Sequence, residues 1–399
     1  MHNIGRRIAI CTLTTTMLCA MLCVSVSAQA EPPRQPALAA SFANYFNARD
    51  HAQMDRLFDT DAFCARVANW MHDGTAQQVL FKLRTCGVYK KRSFSNMLFA
   101  QAYATNPVAK YIGQTKQGRP VIRLVIDGGG YEYIELLVRD SEFGGEKSAR
   151  IHDLMFASKG QFHSKSTATT MGLFGEVSAN TMKRLLGIDD VDNDVVAVFT
   201  KMAEAGKRGD FAASLQLLDT LPEGIRTTKV ILLLRAGYAM QTSEVLYRDA
   251  LSELNQHFGD DPTLDFALLD HHFYQNDYQK AYACVESIER RYGSDASVLN
   301  LKANVMSVLE RMDEAFETID TALVKEPELA DLYTTKLYML TFEQRHQDML
   351  DLIKLAKQYG VAVQLGASLS DTVFDEFRAS EVYEDWVDQA VYGVQEPQS

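Results

Sequence analysis

Apolar and polar residues follow two different periods in the N-terminal part of the chain. From residue 36 to about Asn106, apolar side chains recur every three or four positions, which predicts helices. The period then changes to two, and glycine-rich turns separate the segments. The segments predicted as strands are Tyr111–Gln117, Val121–Asp127, Tyr131–Arg139 and Ala149–Ser158. Helices followed by an antiparallel meander predict an α+β domain with a curved sheet over helices.

Beyond residue 190 the pattern is helical as far as Trp386, and it repeats. In the unit Ala296–Pro327, two predicted helices carry apolar or small residues on one face each. These residues are Leu299, Ala303, Met306, Ala315, Ile319 and Ala322. Their spacing, with Pro327 closing the unit, resembles the tetratricopeptide repeat, in which small side chains let paired helices approach closely. Four to five such units fit, and the segment from Phe374 to Trp386 resembles a capping helix.

A second resemblance concerns the N-terminal domain. Three helices, a bent meander and a last strand ending in Ile151-His152-Asp153-Leu154 are similar to the NTF2-like cone fold. Exported bacterial proteins exist in which such a domain precedes a helical repeat array. The resemblances imply a multidomain α+β chain: an NTF2-like domain with a curved antiparallel sheet, then an all-α tetratricopeptide-like superhelix. The expected divisions are a signal peptide at 1–30, the NTF2-like domain at 36–165, a connector at 166–190, and the repeats with their capping helix at 191–390.

The first thirty residues have the pattern of a secretory signal. Arg6 and Arg7 precede the largely apolar run Ile8–Val26, and Ala28-Gln29-Ala30 places cleavage before Glu31. A second acceptable site would start the mature chain at Gln29. The apolar run is also about long enough to cross a bilayer, so an uncleaved anchor is the alternative. We expect a periplasmic or secreted protein whose mature chain begins near Glu31.

Three cysteines remain after signal cleavage, namely Cys64, Cys86 and Cys284. In an oxidising compartment, a bridge between Cys64 and Cys86 is one hypothesis. The alternative is that both are small buried hydrophobic residues. No cysteine or histidine spacing suits a metal site, and no motif indicates a cofactor.

Charge is distributed unevenly along the chain, which has a net charge of −12. Residues 191–399 hold 36 acidic and 18 basic residues. This surplus disfavours binding to nucleic acid or to anionic lipid, and it favours a protein or peptide partner of basic character. The motif search finds no nucleophile elbow, Walker loop or dinucleotide fingerprint, so a non-catalytic interaction protein is the leading hypothesis.

Two sets of candidate binding residues follow from these resemblances. In the first, His152 and Asp153 alternate on a strand, so one of them points into the pocket that cone domains enclose. The candidate pocket residues are Trp70, Tyr111, Arg123, Tyr133, His152 and Asp153. A small-molecule ligand or a weak enzymatic activity there is the alternative function, and a buried structural hydrogen bond is the alternative role. The candidate groove residues on the first helices of the repeats are Asp265, Asp270, Asn300, Asn304, Asp331 and Lys336.

Overall fold

The computed structural model describes most of the chain beyond residue 33. The described residues are 34–71, 86–87, 91–100, 102–126, 130–143, 146–174, 179–187, 191–362 and 372–392. The predicted signal peptide lies outside them.

Helices open the N-terminal domain, as the spacing of apolar residues predicts. The helices before the sheet are α1 (Arg34–Asn47), α2 (His51–Leu57), α3 (Thr60–Met71) and α4 (Phe94–Phe99). Phe42 and Phe46 of α1 are both fully buried and contact the ring of Phe99 at centroid distances of 5.8 and 5.2 Å. These aromatic contacts form the centre of the N-terminal core.

In the described residues, five antiparallel strands form one sheet in chain order, which confirms the predicted meander. The strands are β1 (Val108–Gln114), β2 (Pro120–Val125), β3 (Tyr131–Phe143), β4 (Glu146–Phe156) and β5 (Gln161–Phe162). β1 begins three residues earlier than predicted and ends before the turn at Gly118, where φ is +72°. β3 continues past Arg139 as far as Phe143, paired with β4.

The two faces of the sheet have different neighbours. On one face, Ile122, Leu124 and Ile134 pack into the N-terminal core with the helices. On the other face, Val121 and Tyr133 pack against residues of the helical array. Because alternate residues of β2 are buried on both faces, the sheet is a middle layer between helices on either side.

The predicted connector contains two helices, α5 (His163–Phe174) and α6 (Ala179–Leu186). Ala168 of α5 and Leu185 of α6 are buried in the N-terminal core. These parts of residues 166–190 therefore extend the N-terminal domain and do not merely link it to the array.

Residues 193–358 form five helical hairpins, with one short helix, α9 (Glu223–Arg226), after the first hairpin. Their first helices are α7 (Asn193–Lys207), α10 (Lys229–Met240), α12 (Asp265–Tyr274), α14 (Ala296–Val308) and α16 (Ala330–Phe342). Their second helices are α8 (Phe211–Asp219), α11 (Glu244–Phe258), α13 (Tyr278–Tyr292), α15 (Met312–Lys325) and α17 (His346–Gln358).

A recurring backbone conformation fixes the period of these hairpins. The backbone has a positive φ at three residues spaced 34 apart: 56° at Asn276, 60° at Glu310 and 54° at Gln344. In each case the next residue donates its N–H to a carbonyl five residues back, as Arg311 does to Met306 at 3.0 Å. This bond ends the first helix in a left-handed turn and directs the chain into the second helix.

Side-chain packing repeats with the same period. Ala303, Ala315 and Ala322 are fully buried where α14 and α15 cross, which confirms the predicted role of small residues. The guanidinium of Arg311 lies 4.8 Å from the ring of Tyr282, and one period later Arg345 lies 4.9 Å from Phe316. The array is therefore tetratricopeptide-like.

The array ends in the short helix α18 (Asp375–Arg378) and in α19 (Glu381–Tyr392). Phe374 and Phe377 are fully buried in the core of the last repeat, so this segment covers the end of the array. None of the helices in the described residues combines the length and the apolar character that crossing a bilayer requires.

Candidate functional site between the sheet and the array

The central contact between the two domains is an ionic cluster around Arg123. This residue lies in the middle of β2, and its side chain is 1% exposed. Its Nη1 donates to Asp295 Oδ1 at 2.9 Å and to Glu326 Oε2 at 3.0 Å. Asp295 is the N-cap of α14, and Glu326 follows the last residue of α15, so the turns of the array supply both carboxylates.

The charges in this cluster stabilise one another. Burial opposes the charge of Arg123, but the hydrogen bond to Glu326 and the field of Asp295 outweigh it and raise the pKa of the guanidinium. Burial alone would raise the pKa of Glu326, whereas the bonds from Arg123 and Lys110 lower it below its ordinary value. Arg123 therefore stays protonated and Glu326 ionised at neutral pH.

Aromatic stacking surrounds the ionic cluster. The ring of Tyr133 on β3 lies 4.7 Å from that of Tyr292 and 5.5 Å from that of Phe266. Its hydroxyl donates to Asp295 Oδ2 at 3.0 Å. A second buried carboxylate, Glu135, accepts from Arg291 at the end of α13 at 2.7 Å. The interface therefore combines apolar burial with charge pairs that fix its register.

Gly160 brings the sheet domain close to the array. Its φ is +57°, and a Cβ at this position would lie 2.7 Å from the backbone oxygen of Thr263. Glycine is required here both for its backbone conformation and for the close approach.

We expect Gly160→Ala to lower the free energy of unfolding by about 1–3 kcal/mol more than Gly118→Ala does. Both positions have positive φ, so both variants carry the backbone strain, but a Cβ at Gly118 has no atom within 4 Å. Urea unfolding of the two variants measures the difference. Equal losses would show that the contact with Thr263 does not hold the domains together.

The predicted pocket residues lie in separate surroundings. Arg123 and Tyr133 face the array, while Tyr111 is half-buried beside the N-terminal core. Trp70 is 36% exposed, with the ammonium of Lys165 at 5.2 Å from its ring. The structure therefore does not bring these four residues together, because β2 and β3 turn Arg123 and Tyr133 toward the array.

Asp153 has a structural role. It is 1% exposed, accepts from Arg66 Nε at 2.7 Å, and accepts from the backbone N–H of Ser164 at 3.0 Å. The carboxylate thus caps the first turn of α5 and neutralises an arginine of α3. This matches the alternative in which the inward-facing residue makes a buried hydrogen bond.

His152 belongs to a different polar cluster. Its Nε2 lies 2.6 Å from Ser141 Oγ and 3.7 Å from Asp59 Oδ2. Desolvation is the main cause that lowers its pKa, although Asp59 opposes the shift. Both contacts use the same ring nitrogen, so the three residues lack the geometry of a relay through the two nitrogens of a catalytic histidine. Ser141 and Asp59 stand in no recognisable motif, so the sequence alone does not indicate this cluster.

The predicted cysteine bridge stays a prediction. Cys64 and Cys86 are both buried, at 0% and 5% exposure. Cys284 is also buried, and burial raises its pKa to about 12, so its thiol stays protonated.

Tyr131 of the sheet contacts two of the predicted groove residues. Asn300 Nδ2 donates to the hydroxyl oxygen of Tyr131 at 2.9 Å, and Asp331 accepts a hydrogen bond from the same hydroxyl. Burial, together with Asp331, raises the pKa of Tyr131. The first helices thus use these side chains to hold their own N-terminal domain.

The other groove residues are spread over the array. Asn304 donates to Thr335 Oγ1 at 3.2 Å, and Lys336 pairs with Asp320 of the preceding helix. Asp265 is half-buried beside Ser287. Asp270 accepts a hydrogen bond from the hydroxyl of Tyr247 at 3.0 Å and faces a cavity.

This cavity of about 680 Å³ lies between the start of β3, the turn after β4, and helices α10, α11, α12 and α14. Tyr131, Ser158 and Lys159 contribute its sheet-side wall, and Asp270 and Asn300 contribute polar atoms from the array. We call it the interdomain cavity.

The fold and this interface define the class of protein: a tetratricopeptide-like array with a docked α+β domain. No protein-family model matches the chain, and no curated protein matches it. Solved structures of MamA AMB-1 in two crystal forms are each 18% identical to this chain, with a TM-score of 0.33. One covers 44% of this chain and 98% of its own, and the other covers 42% and 99%.

Proposed function

We propose that this chain is an exported, non-catalytic interaction protein that holds a basic protein or peptide partner on its acidic helical array. One observation carries the proposal. The array already binds a polypeptide surface in cis, through Asp295 and Glu326 of its turns around Arg123. A basic segment of another protein would pair with carboxylates in the same way on the surface of the array that the sheet does not cover.

The surplus of acidic residues in the array supports this proposal. Residues 191–399 hold twice as many acidic as basic residues, 36 against 18, so a cationic partner is attracted over a distance. Export is proposed from the signal-like pattern of residues 1–30, and an NTF2-like fold of the sheet domain from its order of helices and strands. A small-molecule site in the N-terminal domain has less support, since its six candidate residues do not converge.

The test uses the whole mature chain, residues 31–399, as bait. Separate halves are unsuitable because each would expose Tyr133 or Tyr292, which stack on each other in the interface. We expect capture of one defined basic protein from envelope extract at low salt. We expect its loss near 1 M salt, where the screening length is about 3 Å.

A matched pair of double variants locates the contact. Asp265→Asn with Asp270→Asn removes two charges from a first helix, and we expect it to abolish most of the capture. Asp249→Asn with Asp351→Asn removes two charges from exposed positions on second helices and should leave the capture intact. Equal capture by both double variants, or salt-independent capture, contradicts the proposal.

A further inference from the structure

The interdomain cavity has a largely apolar wall. The side chains of this wall come from four helices of the array, and they are Leu233, Ala236, Met240, Leu251, Phe266 and Leu301. Such a wall favours the aliphatic or aromatic body of a ligand, because burial of apolar surface stabilises the bound state.

Two hydrogen-bond acceptors interrupt this wall. Asp270 receives one hydrogen bond, from Tyr247, and in the part of the chain that the structure describes no basic side chain pairs with it. Asn300 is 5% exposed, and its Nδ2 is used by Tyr131. Its Oδ1 has no hydrogen-bond partner among the described residues. This oxygen is also closed to solvent, so Asp270 is the one of the two acceptors that a ligand in the cavity can reach.

The lysine that lines the cavity does not satisfy these acceptors. The ammonium of Lys159 lies 5.0 Å from the ring of Phe156, and its charge interacts with Glu132 on the sheet. Burial raises the pKa of Asp270, and only the hydrogen bond from Tyr247 opposes this shift. The carboxyl group of Asp270 is open to solvent on one side, and among the described residues it has no cation beside it.

We propose that the interdomain cavity binds an aliphatic cation: an alkyl chain ending in an ammonium or guanidinium group. The alkyl chain lies along Leu233, Met240 and Leu301, and the charged end pairs with Asp270. A lysine or arginine side chain provides this chemistry, and so does a free polyamine.

The test is isothermal titration calorimetry with the full mature chain and defined probes. The first probe is the capped peptide acetyl-Gly-Leu-Lys-Leu-Gly-amide, and its matched control carries norleucine, which lacks the ammonium, in place of lysine. The second probe is spermidine. We expect at least one of the two amine probes, the lysine peptide or spermidine, to bind. If the lysine peptide binds, we expect the norleucine peptide to bind at least about tenfold more weakly.

Variants connect this binding to the cavity. We expect Asp270→Asn to weaken binding of the amine probe about tenfold, since it removes the charge and keeps the shape of the side chain and its hydrogen bond with Tyr247. Asp249→Asn makes the same change at an exposed site of α11 outside the cavity lining and should bind like the parent chain. Asp270 is open to solvent on one side, and circular dichroism checks that its variant folds.

Each outcome decides a different point. Binding of the lysine peptide without spermidine assigns the cation to a polypeptide, and the reverse assigns it to a free amine. Binding of neither amine probe, equal binding of the two peptides, or an unchanged affinity in Asp270→Asn overturns the proposal. The proposed function is tested separately, because capture from extract can fail while these purified probes bind.

Discussion

Replacing Arg123 by leucine is expected to lower the free energy of unfolding of the full chain by about 3–5 kcal/mol. Leucine removes the guanidinium and leaves Asp295 and Glu326 facing each other, with only 8% and 9% of their side chains exposed. Both carboxylates then lose their buried counter-ion, and Glu326 keeps only the half-exposed Lys110. Urea titration of the mature chain, followed by tyrosine and tryptophan fluorescence, measures the change.

Lys110→Met is the matched control for this variant. Lys110 lies on the neighbouring strand, and its Nζ is 3.1 Å from the same Glu326, but its side chain is 44% exposed. Exposed pairs contribute little, so we expect a loss below about 1 kcal/mol. If both variants lost the same amount, burial of the Arg123 pair would not be what stabilises the interface.

A double variant separates the cost of unpaired charge from the loss of packing. Adding Glu326→Gln to Arg123→Leu removes the charge of one of the two carboxylates that Arg123 pairs with, and it keeps the size of that side chain. We expect this double variant to recover part of the loss, which would show coupling between the two positions. Asp295 is less suitable for this purpose because it also caps α14 through the N–H of Ser297.

The pattern of apolar residues predicted most of the fold because it depends on short-range geometry. A period of two with glycine turns was sufficient to predict the meander, and small residues at helix crossings were sufficient to predict the array. The ends of the strands were harder to predict. In β3, Asp140 and Ser141 interrupt the apolar pattern, yet β4 pairs with both of them through its own backbone. Backbone pairing does not depend on side-chain polarity at a strand end.

The location of the candidate site depended on what covers the second face of the sheet. Arg123 and Tyr133 lie opposite each other on one face of the sheet, and that face is covered by the array. Local periodicity cannot show which distant element lies over a face. One signal was present: Pro120–Val125 is apolar at every position except Arg123, which is typical of a strand buried on both faces. A single charge in such a strand indicates a buried ionic partner.

The partners of Arg123 were harder to find than Arg123 itself. Asp295 and Glu326 lie at a helix cap and just after a helix end, outside the periodic positions that define the repeat. The interdomain cavity could not be predicted from the sequence either, since Lys159 and Asn300 come together only when the two domains dock. Periodicity thus indicates which residues share a helix, whereas docking decides which helices and strands share a site.

Replacing Phe377 by alanine is the second change for which we expect a large effect, a loss of about 3–5 kcal/mol in the free energy of unfolding. The ring of Phe377 is fully buried, 5.2 Å from that of Tyr383 and 5.9 Å from that of His346 at the start of α17. In a repeat array each unit is stabilised mainly by its neighbours, so the loss should concentrate in the last repeat.

Hydrogen exchange followed by mass spectrometry measures where this loss occurs. We expect faster exchange in α16 and α17 of Phe377→Ala, with α10 and α11 exchanging as in the parent chain. Tyr359→Ala, at a residue that is 51% exposed just after α17, is the control and should change stability by no more than about 0.5 kcal/mol. Uniformly faster exchange along the whole array would mean that its repeats unfold as one unit. Unchanged exchange in Ala330–Gln358 would mean that the segment from Phe374 onward does not cap the array.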